Sequence, residues 1–300
     1  MRRVPLLAVF SVLLAACTQA PPAPPVAEPT PTVVPSVTAS PSPTGPCPNH
    51  PTPACTGVPP GTKLRKLKLN EDGEAYRVRK KGTVLDGVHI PGVLLIHAEN
   101  VVVRNSQIDG YVSNLDGEKS FAFRISDSTV GPAKGCLTMP AVGYARYTAE
   151  RLHLRGNSDG FRASGDDIEI RDSFVFLCSN PDDHSDGIQA YNSGKGLIFD
   201  HNTVDQRFAK DITAPIFLTD AGQQDITLTN NLIMGGTFSI QVRKAGGKMI
   251  VTGNRLVDKS WVYGPVDSEC PRIDWRDNTL VTIDKDYTIT GTVGPLECVG

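Results

Sequence analysis

The sequence predicts an all-β solenoid, in which successive coils of the chain stack on one another. First, a segment typified by KGLIFDHNTV at 195–204 recurs along the chain, with alternating apolar residues, a polar pair and a return to apolar residues. Second, the last residue of the polar pair recurs mostly every 22 to 29 residues, with one short step of 16. Self-similarity at such a period is typical of solenoids. Third, the apolar residues alternate with period two, as at Leu197 and Phe199, and Val, Ile, Thr and Phe dominate, which favours strands over helices.

The recurring segments define the strands and one column of polar side chains. Besides 195–204, they lie at 100–108, 123–130, 151–157, 167–175, 225–233, 248–256 and 272–280. The second residues of the polar pairs are Ser106, Ser128, Asn157, Ser173, Asn202, Asn231, Asn254 and Asn278. A coil of this length holds about three short strands, so the sequence predicts about eight coils. We expect the column to form an interior Asn/Ser ladder that bonds the backbone and the next coil. The alternative is that these residues mark exposed turns.

The repeated pattern and its asparagine-type ladder resemble those of the pectate-lyase (pectin lyase-like) superfamily. The resemblance covers about residues 83 to 280. It implies an all-β, single-stranded right-handed parallel β-helix. It implies much less about activity, because that fold hosts lyases, hydrolases, epimerases and non-catalytic surface proteins.

The N-terminus has the composition of a signal peptide over residues 1–16. Arg2 and Arg3 precede an apolar run at 4–16 that is short for a transmembrane span. The LAAC motif that ends at Cys17 resembles the lipobox of bacterial lipoproteins, which implies that Cys17 is lipidated and becomes the mature N-terminus. The alternative is ordinary secretory cleavage nearby. Both interpretations predict export, and the lipobox predicts a lipid anchor on the outer face of a bacterial cell membrane.

The chain after the signal peptide divides by composition. Residues 17–46 are rich in Pro, Thr and Ser and cannot form a core, so they are expected to be a disordered linker that holds the domain off the membrane. Residues 47–300 are expected to form one β-helix domain, with a basic entry strand within 55–69 and a closing segment after residue 280 as caps. The formal net charge of −2 gives no support for nucleic-acid binding. We expect a monomer whose partner is a polysaccharide.

Six cysteines remain in the predicted domain, and an even number in an exported protein indicates disulfides. The spacing does not suit a metal site, because no CxxC or His-cluster pattern is present. Six cysteines allow many connectivities. We expect neighbours to pair, as Cys47–Cys55 at the N-terminal cap, Cys136–Cys178 between lateral loops and Cys270–Cys298 at the C-terminal end.

Two aligned segments, NSDGFRAS at 157–164 and HSDGIQAY at 184–191, predict an exposed face built from successive strands. Strand alternation turns one column of side chains inward, and two neighbouring columns outward. The inward column is Phe161, Ile188, Ile216 and Ile240. The outward columns are Arg162, Gln189, Phe217 and Gln241, then Ser164, Tyr191, Thr219 and Arg243. Such side chains hydrogen-bond and stack on sugars, so Gln189, Phe217 and Gln241 are carbohydrate-binding candidates. The alternative is a generic polar face.

Aspartates lie at the head of this face. Asp159 and Asp186 are expected one coil apart, with Asp183 nearby in the loop at 180–187. Two such carboxylates repel unless a cation separates them, they share a proton, or they pair with Arg162. Clustered carboxylates are ligands for Ca²⁺, so Asp159, Asp183 and Asp186 are candidate calcium ligands. The alternative is that S-D-G is a turn, with the aspartate bonding its own backbone.

These residue types suit β-elimination on a uronate polymer, which is the leading functional hypothesis. That reaction needs a cation at the sugar carboxylate, a base for the adjacent proton and an acid for the leaving oxygen. Ca²⁺ together with Arg162, Arg243 or Lys244 would meet the carboxylate. His184 or Tyr191 would transfer protons. The sequence therefore favours a polysaccharide lyase.

Other activities of the fold leave alternatives open. The pectin hydrolases carry N-T-D, D-D, G-H-G and R-I-K motifs; NSDG at 157–160 and the pair at 166–167 echo two of these, but the other two are absent, so acid hydrolysis loses support. The alginate epimerases carry D-P-H-D where this chain has residues 189–192, QAYN. A non-catalytic protein that binds polysaccharide through the same face is the alternative of a different class. Convergence of Arg162, His184 and Tyr191 around a groove favours catalysis, and a flat arrangement favours binding.

Overall fold

The computed structural model describes residues 47–190, 194–219, 224–244 and 246–298. The predicted signal peptide, the lipidation site at Cys17, the linker and Tyr191 lie outside these ranges. Within them, no helix has both the length and the apolar character needed to span a bilayer.

The described chain is a parallel β-helix with three sheets, as the sequence predicts. Sheet I contains β1 (Arg65–Lys66), β4 (Val88–Ile90), β7 (Gln107–Ile108), β12 (Thr129–Val130), β15 (His153–Arg155), β18 (Phe174–Phe176), β21 (Thr203–Asp205), β24 (Leu232–Met234), β27 (Arg255–Val257), β30 (Thr279–Ile283) and β31 (Ile289–Pro295). Sheet II contains β2 (Ala75–Val78), β5 (Val93–Ile96), β8 (Val112–Ser113), β13 (Leu137–Gly143), β16 (Asn157–Ala163), β19 (Ile188–Ala190), β22 (Ile216–Leu218), β25 (Phe238–Val242) and β28 (Gly264–Ser268). Sheet III contains β3 (Val84–Asp86), β6 (Val101–Arg104), β11 (Phe123–Ser126), β14 (Tyr147–Glu150), β17 (Glu169–Arg171), β20 (Leu197–Asp200), β23 (Gln224–Thr229), β26 (Gly246–Thr252) and β29 (Ile273–Arg276).

Two small elements stand apart from the regular coils. A hairpin of β9 (Leu115–Asp116) and β10 (Lys119–Ser120) projects between sheets II and III, and a 3₁₀ turn spans Cys270–Arg272. Strand β31 pairs antiparallel with β30 and ends sheet I. Sheets II and III each contain nine strands in the described chain, one coil more than the sequence predicts.

Each coil passes from sheet III to sheet I through one residue with left-handed backbone conformation. The residues at this turn are Gly87, Asn105, Asp127, Arg151, Asp172, His201, Asn230, Gly253 and Asp277, with φ between 47° and 71°. Left-handed backbone costs most residues about 1–2 kcal/mol and is tolerated best by Gly, Asn and Asp. The short polar residues that recur in the sequence therefore mark this turn.

The next residue in each coil forms the interior ladder. Asn202, Asn231, Asn254 and Asn278 are buried, and the backbone N–H of each of the first three donates to the Oδ1 of the next, at 2.8–3.0 Å. Ser173 precedes them and donates its N–H to Asn202 Oδ1 at 3.0 Å. The predicted interior ladder is therefore confirmed for these residues, and for Ser106 and Ser128, which are also buried and bonded to each other.

One ladder assignment is wrong. Leu152, and not Asn157, occupies the ladder position between Ser128 and Ser173, and its N–H donates to Ser173 Oγ at 3.1 Å. Asn157 begins β16 in sheet II and donates to Met139 O at 3.2 Å. The strand of sheet III in this coil is β14, so the segment at 151–157 is displaced by one sheet. This displacement accounts for the short step of 16 residues.

The core lies between the sheets, and the caps close its ends. The predicted inward column Phe161, Ile188, Ile216 and Ile240 is in register and fully buried. The three predicted disulfides, Cys47–Cys55, Cys136–Cys178 and Cys270–Cys298, are all present. Three disulfides in one chain are typical of an extracytoplasmic protein.

Candidate active site

An acidic depression lies on the outer face of sheet II, at the head of β16 and β19. This acidic hollow has a volume of about 350 Å³. It is lined by Asp159, Arg162, Asp183, His184, Asp186, Gln189, Thr213 and Phe217. Seven of these eight were sequence-predicted site residues; strand pairing aligns those on sheet II, and the loop before β19 supplies Asp183 and His184.

The pairing of β16 with β19 sets the spacing of the two aspartates. Arg162 pairs with Gln189, and the register extends back so that the N–H of Asp186 donates to Asp159 Oδ1 at 3.1 Å. A Cβ at Gly160 would lie 2.3 Å from the carbonyl oxygen of Gly187. The two S-D-G segments therefore need glycine because their backbones approach closely, and the two aspartates lie one coil apart, which is about 4.8 Å between paired backbones.

Asp159 forms an ion pair with Arg162, as one of the sequence interpretations required. Arg162 Nη2 lies 2.9 Å from Asp159 Oδ2, and the two side chains are 18% and 13% exposed. Burial raises the pKa of Asp159, although Arg162 and the N–H of Asp186 favour the ionised form. Asp159 therefore holds its proton to a higher pH than an ordinary aspartate, as a proton donor in catalysis must.

Asp186 is more deeply placed. It is 3% exposed, and its Oδ1 accepts a hydrogen bond from the N–H of Ala214 at 3.1 Å. Ala214 stands at the same register in the next coil, so the aspartate column contains two members, Asp159 and Asp186. Asp159 and Asp186 are therefore paired on two neighbouring coils, and the column continues with an alanine.

Asp183 and His184 come from the loop that follows β18. Asp183 Oδ1 accepts a hydrogen bond from Thr138 Oγ1 at 2.7 Å, and its Oδ2 accepts one from the N–H of Asn180. The Cys136–Cys178 disulfide links the two chain segments that supply Thr138 and this loop. His184 lies on the exposed side with φ of 52°. The loop therefore presents one carboxylate and one imidazole at the rim.

The carboxylates do not form a ready calcium site. Both oxygens of Asp159 and both of Asp183 accept hydrogen bonds from protein groups, and so does Oδ1 of Asp186. In the described part of the chain, no group of three or more His, Cys, Asp or Glu side chains is arranged to hold a metal ion. Calcium binding by Asp159, Asp183 and Asp186 therefore stays a prediction, because in the described arrangement these carboxylates are held by protein groups.

The other predicted residues differ in position. Gln189 and Phe217 line the acidic hollow, and no described residue hydrogen-bonds the buried Oε1 of Gln189. Gln241, Arg243 and Lys244 lie outside its lining, two strands from Gln189 in sheet II. Arg243 pairs with Asp267 in β28. The structure therefore brings only part of the predicted face together.

Thr213 is a lining residue that sequence reasoning missed. Its N–H donates to the carbonyl oxygen of Ser185 at 2.9 Å. Thr213 therefore precedes Ala214, the residue that aligns with Asp186 in the next coil. Counting back from the inward Ile216 would have located it, because Ile216 pairs with Ile188.

No family model, curated protein or solved structure matches this chain. The parallel β-helix fold is therefore shown by strand pairing alone.

Proposed function

We propose that this protein binds an extracytoplasmic polysaccharide on the outer face of sheet II and cleaves a glycosidic bond in the acidic hollow. The observation that carries the proposal is the pairing of Asp159 and Asp186 in the acidic hollow, one coil apart, with Asp159 largely buried and its pKa raised by that burial. Paired carboxyl groups with different environments are the usual means of breaking glycosidic bonds. The superfamily resemblance and a lipid anchor at Cys17 are parts of the same proposal.

Hydrolysis is the reaction that the charges of the acidic hollow favour. Asp159 would protonate the glycosidic oxygen as the bond to the sugar breaks. Asp186 would attack the anomeric carbon to form a covalent glycosyl-enzyme intermediate, because carboxyl groups only one coil apart leave no room for a water between them. Water would then hydrolyse that intermediate, with Asp159 accepting its proton. The amide of Gln189 would bind a hydroxyl group, and the ring of Phe217 would contact the apolar face of a sugar.

β-Elimination is the second candidate. Arg162 and His184 both line the acidic hollow, and they are the cation and the proton-transfer group that the sequence hypothesis requires. Against it, Arg162 is already occupied by its contact with Asp159, while Asp183 and Asp186 are acidic groups that would repel a uronate carboxylate. Elimination would therefore need an added cation, and hydrolysis of a less acidic polymer would not.

A panel of neutral and uronate polysaccharides tests both reactions. New reducing ends without ultraviolet absorbance indicate hydrolysis. New reducing ends with the absorbance of an unsaturated uronide indicate elimination, and loss of that signal with EDTA would show the predicted calcium dependence. Retained binding to one polymer without cleavage would refute the enzyme proposal and support a non-catalytic binding protein.

Substitutions then test the residues. Asp159→Asn should lower the rate about 10²–10⁴-fold, because it removes the proton donor and keeps the size of the side chain. Asp186→Ala should abolish turnover while the β-rich circular dichroism is retained. Asp182→Asn is the matched control, since Asp182 lies exposed in the same loop outside the lining. Equal activity of Asp159→Asn and Asp182→Asn would contradict the assignment.

A further inference from the structure

A second depression lies on the outer face of sheet I, on a different side of the solenoid from the acidic hollow. Its floor is formed by β15 and β18, and its walls are Pro53, the segment 132–135 and Tyr287. We call it the aromatic hollow. Its volume of about 410 Å³ is within the usual range for small-molecule sites, about 300–1,000 Å³.

The floor is aromatic because the outward positions of two paired strands carry rings. His153 pairs with Phe174, and Arg155 pairs with Phe176, while the residues between them point into the core. The ring of Phe174 packs edge-on against both His153 and Tyr287, with centroid distances of 5.5 and 5.0 Å. Phe176 stays partly exposed at the edge of this cluster. Tyr287 covers Phe174, so Phe176 is the phenylalanine of the floor that stays accessible on an outer face that would ordinarily be polar.

The charge of the aromatic hollow is positive. Arg155 and Lys134 line it, and its described lining contains no aspartate or glutamate. The Nε of Arg155 is buried and has no hydrogen-bond partner among the described residues. Burial lowers the pKa of His153 to about 4, so its ring is neutral at neutral pH and adds no charge. The neighbouring Arg207 differs, because it is held by the buried Asp205 at 2.8 Å.

We propose that the aromatic hollow binds an acidic saccharide. The guanidinium of Arg155 would donate hydrogen bonds to the sugar carboxylate, and Lys134 would lie at the rim as a second positive charge. The exposed part of the Phe176 ring would pack on the apolar face of the sugar ring. A carboxylate joined to a ring with an apolar face satisfies both features, whereas a simple anion satisfies only the first.

The test is titration calorimetry of the purified full-length protein with trigalacturonate and with its methyl ester, which has the same rings and no charge. Trigalacturonate should bind, and the ester should bind at least about tenfold more weakly, because a charged hydrogen bond is lost. Arg155→Gln should weaken binding of trigalacturonate to a similar extent. Arg65→Gln is the matched control, since Arg65 is exposed in β1 of the same sheet, outside the hollow.

A second measurement locates the ligand. The ring resonances of His153, assigned with His153→Gln, should shift on titration with trigalacturonate, and Phe176→Ala should weaken that binding with unchanged circular dichroism. Unperturbed His153 resonances would overturn the assignment. So would equal affinity for the methyl ester, unchanged affinity in Arg155→Gln, or binding of inorganic phosphate as tight as that of the trisaccharide. These results are independent of turnover at Asp159, so the two proposals can fail separately.

Discussion

Replacing Asn231 with alanine should remove about 3 to 5 kcal/mol from the free energy of unfolding. The Nδ2 of Asn231 donates to Phe199 O at 2.9 Å and to Asn254 Oδ1 at 3.0 Å. Its Oδ1 accepts from the backbone N–H of Asn202 at 2.8 Å and from Asn202 Nδ2 at 3.0 Å. Alanine leaves polar groups on both neighbouring coils unpaired in a fully buried position, and each such group costs about 1–3 kcal/mol.

The adjacent Asn230 provides a matched control. It is exposed, has φ of 56° and bonds Asp200 Oδ1 at 3.0 Å. Asn230→Gly keeps the left-handed turn accessible and removes only an exposed hydrogen bond, so we expect a change within about 0.5 kcal/mol. Guanidinium denaturation followed by circular dichroism measures both variants, and an unchanged m-value is needed to compare the midpoints directly.

Equal stabilities of the Asn231 and Asn230 variants would refute the reasoning. That result would mean that the asparagine column marks turns and does not tie the coils together. Asn231→Ser adds a graded check, because Ser173 fills the same position and still accepts the N–H of Leu152. Serine should therefore lie between asparagine and alanine in stability.

Three further changes test other parts of the molecule. Cys178→Ser should cost about 4 kcal/mol in denaturation under oxidising conditions, because the Cys136–Cys178 bridge spans 42 residues; a loss below about 1 kcal/mol would contradict this. Burial lowers the pKa of His153 to about 4, so between pH 6.5 and about 4 the unfolded chain takes up a proton at this residue and the folded chain does not. The unfolding free energy therefore falls over this pH range, and His153→Gln should make that fall smaller. An unchanged pH profile of the unfolding free energy would be inconsistent with burial of the ring. Tyr287→Phe should cost about 1–2 kcal/mol of unfolding free energy and expose the β31 amides to hydrogen exchange, because its hydroxyl donates to the buried Asp205 at 2.9 Å; full protection would contradict that role.

The sequence predicts the strands well, because each coil must place apolar side chains in the core and make the same left-handed turn. Alternation such as Leu197 and Phe199 places side chains in the core, and the polar pair after it marks the left-handed turn and the ladder. The sequence misplaces the ladder residue in the coil where the repeated pattern is weak. Strand β14 reads YTAE and is followed by Arg151 and Leu152, so no Asn or Ser identifies its ladder position. The next alternation, in β15, is then mistaken for it.

The acidic hollow is partly predictable for the same reason. The two S-D-G segments are in register, so Asp159 and Asp186 follow from strand pairing alone. The ion pair of Asp159 with Arg162 depends on side-chain conformation, and the sequence leaves it as one of three alternatives. The aromatic hollow is harder still, because Pro53 and Tyr287 come from segments far from the floor strands and outside the repeat.

One coil that departs from the Asn/Ser ladder also supplies residues to both hollows. Residues 147–163 supply Asp159 and Arg162 to the acidic hollow, and also His153 and Arg155 to the aromatic hollow. The same coil has Leu152 in the ladder, where the following coils have serine or asparagine. Local exceptions to a folding pattern are expected where side chains are selected for another purpose. The folding pattern alone does not require a largely buried aspartate on one face, or an arginine on another face whose described surroundings in the hollow contain no carboxylate. This coil is therefore where substitutions should separate stability from binding most clearly.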